Sequence, residues 1–254
     1  MVPDSDGRPS TLPRRTVLAD GTYDLIKAMI LEHDIAPGEH LGIDELARDL
    51  SVSQTPVRES LARLEADGLV TKIPLRGYET TRLLSVQQFD DLFQFRGVIE
   101  PWAAAEASRR STRREIEALE AELERAEHIS RTGTSSTYTE FVEHDTRFHT
   151  LVARASGNPL VEEAFIRTRC HMHLFRVHKA SFSNAESGSG EGEFVQDMFQ
   201  EYYRDGERPL ALNEHIEITV AIRGGDGNSA SELMRSHIDS SRRRFIPAIE
   251  ALHA

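Results

Sequence analysis

Only one cysteine, Cys170, occurs in 254 residues, so no intrachain disulfide framework is available and a reducing compartment is expected. Long apolar runs are missing as well. No stretch approaches the roughly 18 uncharged apolar residues of a membrane span, and the N-terminus, with Asp4, Asp6, Arg8 and Pro9, lacks the apolar region of a signal peptide. A cytoplasmic protein with no membrane partner is the expectation. An excess of positive charge is absent too: the net charge is −12, and residues 14–82 carry nine basic against twelve acidic side chains. Composition therefore leaves no electrostatic footprint of nucleic-acid binding, and any such function has to rest on pattern.

What is present is a 39% hydrophobic content, enough for real cores, over a length that suits two domains. Residues 1–15, rich in Pro, Ser, Asp and Arg, read as a flexible tail. Between 16 and 82 the pattern gives three short helices and a hairpin. Leu18, Leu25, Ile26, Met29 and Ile30 fill one helical face up to the Pro37-Gly38 turn, and Leu46, Ala47 and Leu50 face inward from a second helix. Thr55-Pro56 opens a third, with Val57, Leu61 and Leu64 at helical spacing until Asp67-Gly68. Residues 69–73 and 78–81 then flank Pro74-Leu75-Arg76-Gly77, a β-hairpin with a basic tip. From 85 to 254 strand signals vanish. Helices are expected near 86–109, 112–130, 137–156, 159–180, 211–224 and 229–251, packed as an antiparallel all-α bundle, with 183–208 a loop insertion. The expected fold is mainly α: a winged helix-turn-helix followed by a helical bundle.

In a winged helix-turn-helix the third helix enters the major groove and the hairpin tip approaches the backbone or minor groove. Ser53, Gln54, Thr55 and Arg58 cluster where that helix starts, and side chains and free N–H groups there can meet phosphates and base edges. Gln suits adenine and Arg suits guanine in bidentate readout. Alone, such a tetrad is as well explained by a capping Ser53 and a solvated Arg58; the order of elements around it tips the balance. The segments Pro37–Leu41, Glu45-Leu46-Ala47, Val52–Leu61 (VSQTPVRESL) and Leu64–Val70 (LEADGLV) closely resemble the GntR family of regulators, and the helical remainder resembles the FadR-type effector domain of one large subfamily. The resemblance implies DNA contacts at Ser53, Gln54, Thr55, Arg58, Arg76 and Gly77, a homodimer and operator DNA as partner. Two residues depart from it. Gln54 stands where members often carry Arg, and Asp44 where some carry a basic residue, which leaves the operator sequence open.

In the second region Asp145 and His149 lie at i and i+4, on one helical face shared with Phe141, Phe148 and Val152. His215 follows on the stripe of Ile218 and Ile222, and His237 lies beside Leu233 and Ile238. Any one of these imidazoles is better explained as an ordinary core residue. Three imidazoles and a carboxylate from three helices nevertheless suit a divalent ion, zinc first, with nickel or manganese as alternatives. The set resembles the metal-binding subgroup of FadR-type effector domains, where those four positions coordinate the ion. Arg96, on a stripe with Phe89, Leu92, Ile99 and Ala103, needs a partner: Glu100, or the carboxylate of an effector. His144 is expected to point away from this set, His171 and His173 to be hydrogen-bonded or surface imidazoles, and segment 112–127, Glu122 included, to be a solvated amphipathic helix, with a dimer face the alternative.

Three functions fit these residues. A regulator controlled by a small organic acid at the metal site is expected, a repressor by its family likeness, with activation left open as the alternative and so too whether the effector releases or tightens DNA. A metalloenzyme is disfavoured, because no His-Glu-x-x-His run exists and Glu214 should project about 100° from His215. A sensor of the metal itself is disfavoured by the low selectivity of a carboxylate and three His.

Overall fold

A computed structural model describes residues 14–132, 137–186 and 209–253. The chain divides between Leu83 and Leu84 into two compact units.

The first unit holds α1 (Arg14–Leu31), β1 (His40–Leu41), α2 (Ile43–Asp49), α3 (Gln54–Ala66), β2 (Val70–Ile73) and β3 (Gly77–Thr80). Its core is built by Ile26 and Ile30 of α1, Leu46 of α2, and Val57, Leu61 and Leu64 of α3, with Leu69 and Val70 closing it. Helix α1 begins at Arg14, two residues inside the segment read as a tail; residues 1–13 lie outside the described residues. Leu25, placed on the inner face from spacing, is 49% exposed, because Thr22, Ile26 and Ile30 at intervals of four already fill the buried stripe. Strands β2 and β3 form the expected antiparallel hairpin, and β1 adds a third strand on the far side of β3 through His40–Glu79 and Leu41–Tyr78. Two residues carry no periodicity, so sequence reading missed β1. At the wing, Gly77 has φ +100°, and a Cβ there would stand 3.3 Å from the Leu41 carbonyl oxygen, so only glycine fits beside β1.

The second unit is all-helical among the described residues: α4 (Val86–Arg110), α5 (Arg113–Thr132), α6 (Thr137–Ala155), α7 (Pro159–Thr168), α8 (Cys170–Glu186), α9 (Leu210–Arg223) and α10 (Gly227–His253). Ser85 and Gln88 cap α4 reciprocally, each side chain taking the other's backbone N–H. Pro101 lies inside α4 and cannot donate to the Gly97 carbonyl one turn earlier; that carbonyl accepts instead from Arg235 of α10 at 3.4 Å. Close approach of α4 and α10 relies on small residues. Ala103, Ala104, Ala107 and Ala230 are buried, and a Cβ on Gly227 would meet Ser108 Oγ at 3.0 Å. The single helix expected over 159–180 is two helices, because Arg169 adopts a left-handed conformation, φ 48°, and ends α7. Helix α8 then continues through Glu186, four residues into the segment read as an insertion; the rest of that segment, 187–208, lies outside the described residues.

Two imidazoles of α8 make the second unit acid-sensitive. Burial, with Arg176 and Arg169 nearby, holds His173 down to about 4, and burial, with Lys179, holds His178 down to about 3. Below pH 6.5 the unfolded chain binds protons there that the folded chain refuses. Their contribution is thus fully present above pH 6.5 and is lost as pH falls. Between pH 7 and 4.5 chelator-treated protein should lose roughly 2–5 kcal/mol more than a His173→Gln/His178→Gln variant, read by urea unfolding at both pH values.

Candidate metal centre and nucleic-acid interface

In the first unit the start of α3 presents Ser53, Gln54, Thr55 and Arg58 together on an exposed surface, with Pro56 and Val57 turned into the core. Ser53 occupies the N-cap position, but its side chain makes no capping hydrogen bond, so the hydroxyl remains for other partners. Arg76 and Gly77 sit at the hairpin tip, where His40 Nε2 is hydrogen-bonded to the Arg76 carbonyl and fixes the wing's backbone. Asp44 of α2, also exposed, accepts from the Gln54 side-chain amide, whose oxygen accepts from Arg58 at 3.2 Å. The two residues that depart from the family pattern are therefore partners of each other. Their bond orients the Gln54 amide, which still has a second N–H and a second lone pair beyond these two contacts.

In the second unit the four ligand candidates come from α6 (Asp145, His149), α9 (His215) and α10 (His237), all buried. Three Nε2 atoms converge: His237 lies 3.2 Å from His149 and 3.3 Å from His215. Asp145 Oδ1 lies 4.0 Å from His215 Nε2. Both His149–His215–His237 and His144–Asp145–His215 bring their ligand atoms within 4.8 Å of one another.

The outer nitrogens explain the convergence. His149 Nδ1 contacts Glu100 Oε2 at 2.5 Å, and His237 Nδ1 contacts Glu214 Oε2 at 2.7 Å. A carboxylate can only accept, so each Nδ1 carries the hydrogen, and a ring that carries no second proton presents its Nε2 lone pair to the common point. Burial drives both His149, to about 4, and His215, well below the ordinary imidazole value, toward the neutral form that can ligate. Burial alone would raise Glu100, but Arg96 and His149 outweigh it and hold the carboxyl down to about 2. Neutral lone pairs gathered inside a protein repel one another unless a cation lies between them, so the donor set fits a divalent ion.

Arg96 is 1% exposed and pairs with Glu100 at 2.5 Å, the first of the two partners its stripe called for; it also donates to Cys170 Sγ at 3.2 Å and lies 3.4 Å from His149 Nε2. Arg96→Met should cost about 3–5 kcal/mol in urea unfolding, because it leaves the buried Glu100 charge without its guanidinium.

Two sequence expectations change here, and a third gains a partner. His144 does not point away: it is buried, with Nε2 3.0 Å from His215 Nδ1 and Nδ1 3.0 Å from Glu122. Glu122 is 4% exposed rather than solvated, since it lies on the α5 stripe of Leu119, Leu123 and Ala126. Glu214 does turn from the point His215 faces, yet it reaches His237 on the adjacent helix. Of the remaining imidazoles, His171 is buried and stacks on His149 with centroids 5.3 Å apart, whereas His173 stands edge-on to Phe89.

Comparison with known proteins assigns both units. Residues 18–79 match the bacterial regulatory proteins of the gntR family, and residues 91–240 match the FCD domain. An HTH-type transcriptional regulator from an unstable DNA locus of Streptomyces ambofaciens is 31% identical over 223 residues, 85% of this chain and 80% of that one. The repressor RspR of Escherichia coli K12 is 24% identical over 217 residues, 85% and 83% of the two chains. Among solved structures, the regulator Lar, described as controlling the agr system of Listeria monocytogenes, superposes with a TM-score of 0.59 at 16% identity, covering 93% of this chain and 98% of that one. E. coli McbR/YncC gives 0.58 at 17% identity over 88% and 94%. No described helix is long and apolar enough to cross a membrane. The chain therefore belongs to the gntR family, in the FadR-type branch that joins a helix-turn-helix to an FCD effector domain, and it is a DNA-binding transcription regulator rather than an enzyme.

Proposed function

We propose that this regulator binds a pseudo-palindromic operator as a homodimer, acts as a repressor in the cytoplasm, and is released by a small carboxylic acid that completes the coordination of a divalent ion held by Asp145, His149, His215 and His237. Zinc is the first candidate, nickel and manganese the alternatives. The observation that carries this reading is the convergence of three buried Nε2 atoms within 3.3 Å of their neighbours. Such a set can hold an ion and leave coordination positions for a ligand's carboxylate, with Arg96 supplying a second, cationic contact once its bond to Glu100 loosens. One short reading helix spans too few base pairs for an operator, and a two-fold protein on a two-fold site doubles the contact. Ser53, Gln54, Thr55, Arg58, Arg76 and Gly77 are the proposed DNA contacts.

The test is operator affinity measured against metal concentration, with and without a panel of small carboxylates. Release that needs both ion and acid supports the proposal. Release by metal alone makes the protein a metal sensor, and no response to any combination removes the effector role from this centre.

The bond between Asp44 and Gln54 carries a separate expectation. Asp44→Ala removes a negative charge from a DNA-facing surface and frees the Gln54 amide to rotate. Non-specific binding should strengthen by roughly two- to tenfold, while preference for the cognate site falls. Competition of operator against random duplex at fixed salt measures both.

A further inference from the structure

We infer that His144 and Glu122 form a relay that positions His215 for the ion, an inference that rests on the metal reading above. Two of the converging imidazoles are oriented directly by carboxylates, Glu100 behind His149 and Glu214 behind His237. Among the described residues no carboxylate stands at His215 Nδ1; the Nε2 of another imidazole, His144, occupies that place at 3.0 Å, and Glu122 stands behind it at 3.0 Å from His144 Nδ1. Both relay residues are buried, at 1% and 4% exposure.

The direction of the relay follows from its far end. Burial would raise the Glu122 carboxyl, but hydrogen bonds from His144 and Arg147 hold it low, and Arg147 Nε donates to Glu122 Oε2 at 2.9 Å. An ionised carboxylate accepts only, so His144 Nδ1 carries the hydrogen, and in the neutral ring His144 Nε2 carries the lone pair. That lone pair accepts from His215 Nδ1–H. His215 Nε2 is then left as a lone pair facing His149 and His237, which is the tautomer a metal ligand requires. The other tautomer would set two lone pairs against each other across the 3.0 Å gap between His144 and His215. Phe148 fixes the plane of the His215 ring, stacked at 3.9 Å and 15°, but a stacked ring can still carry its hydrogen on either nitrogen. The relay makes that choice.

It also extends the reach of the centre. The ligands stand on α6, α9 and α10; Glu100 brings in α4, and the relay adds α5, so five helices of the bundle meet through one set of hydrogen bonds. His144 and Glu122 are positioning residues that act through His215.

The test is zinc affinity of the full chain by chelator competition, in wild type, His144→Leu, His144→Gln and Glu122→Gln. Thermal unfolding of each metal-free protein checks the fold. His144→Leu removes the acceptor for His215 and should weaken zinc roughly 10–100-fold. His144→Gln returns an amide oxygen near the lost Nε2 and should recover most of that loss, which a packing role would not produce. Glu122→Gln should weaken zinc several-fold, and it decides the matter if His144→Leu does not fold. Unchanged affinity in a folded His144→Leu, or in Glu122→Gln, overturns the relay, as does equal weakening by Leu and Gln. A loss beyond about a thousandfold in both His144 variants makes His144 a ligand and overturns it too. Wild type that binds no zinc at all defeats the metal reading itself, a separate outcome.

Discussion

Dialysis against a strong chelator should lower the midpoint of thermal unfolding by roughly 8–16 °C, and stoichiometric zinc should restore it. The size follows from mass action. An ion present at a thousand times its dissociation constant stabilises the state that binds it by about 4 kcal/mol, and in a unit of this length each kcal/mol moves the midpoint by about 2–4 °C. The ion would satisfy three lone pairs held 3.2–3.3 Å apart between neighbours and tie α6, α9 and α10 together. Nickel and manganese added to stripped protein would rank the alternatives by the midpoint each restores. The His215→Ala/His237→Ala variant should show no response to chelator or metal. An equal shift in the variant would place the stabilising ion elsewhere in the chain.

Arg58→Ala and Arg76→Ala should each weaken operator binding by about 1–3 kcal/mol, roughly 5- to 150-fold, without moving the unfolding midpoint. Both side chains are exposed, Arg58 one turn into α3 and Arg76 at the hairpin tip, so neither contributes to the core. The two losses should differ in kind. Arg58 stands beside the oriented Gln54 amide, so its loss should fall on particular operator positions. A phosphate contact from Arg76 would weaken all sequences alike and make the salt dependence shallower by about one unit of slope. Fluorescence anisotropy on an operator and its single-base variants over a range of salt separates these outcomes. Unchanged affinity in both variants would remove the reading surface from this face.

The fold was largely legible because its signals are local. Val57, Leu61 and Leu64 recur at helical spacing, Asp67-Gly68 stops α3, and Pro74–Gly77 turns the hairpin, each within a few residues. What escaped was either too short for a period, as with the two residues of β1, or hidden in one backbone angle, as with the left-handed Arg169 that splits α7 from α8. The site divides along the same line. Asp145 and His149 announce themselves by sharing a helical face, and His215 and His237 by lying on apolar stripes. Their orienting partners come from other helices, so no spacing reveals them. Glu214 turns from the point His215 faces, and that turn carries it to His237 on α10, which spacing along α9 alone does not show. Glu122 did carry a signal, three residues after Leu119 and one before Leu123 on a buried stripe. A carboxylate in that position has to find a partner, and a dense run of neighbouring charges concealed it.

Metal content of the purified protein decides whether Asp145, His149, His215 and His237 hold an ion. Elemental analysis of wild type and of His215→Ala/His237→Ala, purified side by side without added metal or chelator, should find one divalent ion per chain in the first and a small fraction of that in the second. Equal content in the two proteins, or none in either, would contradict the account.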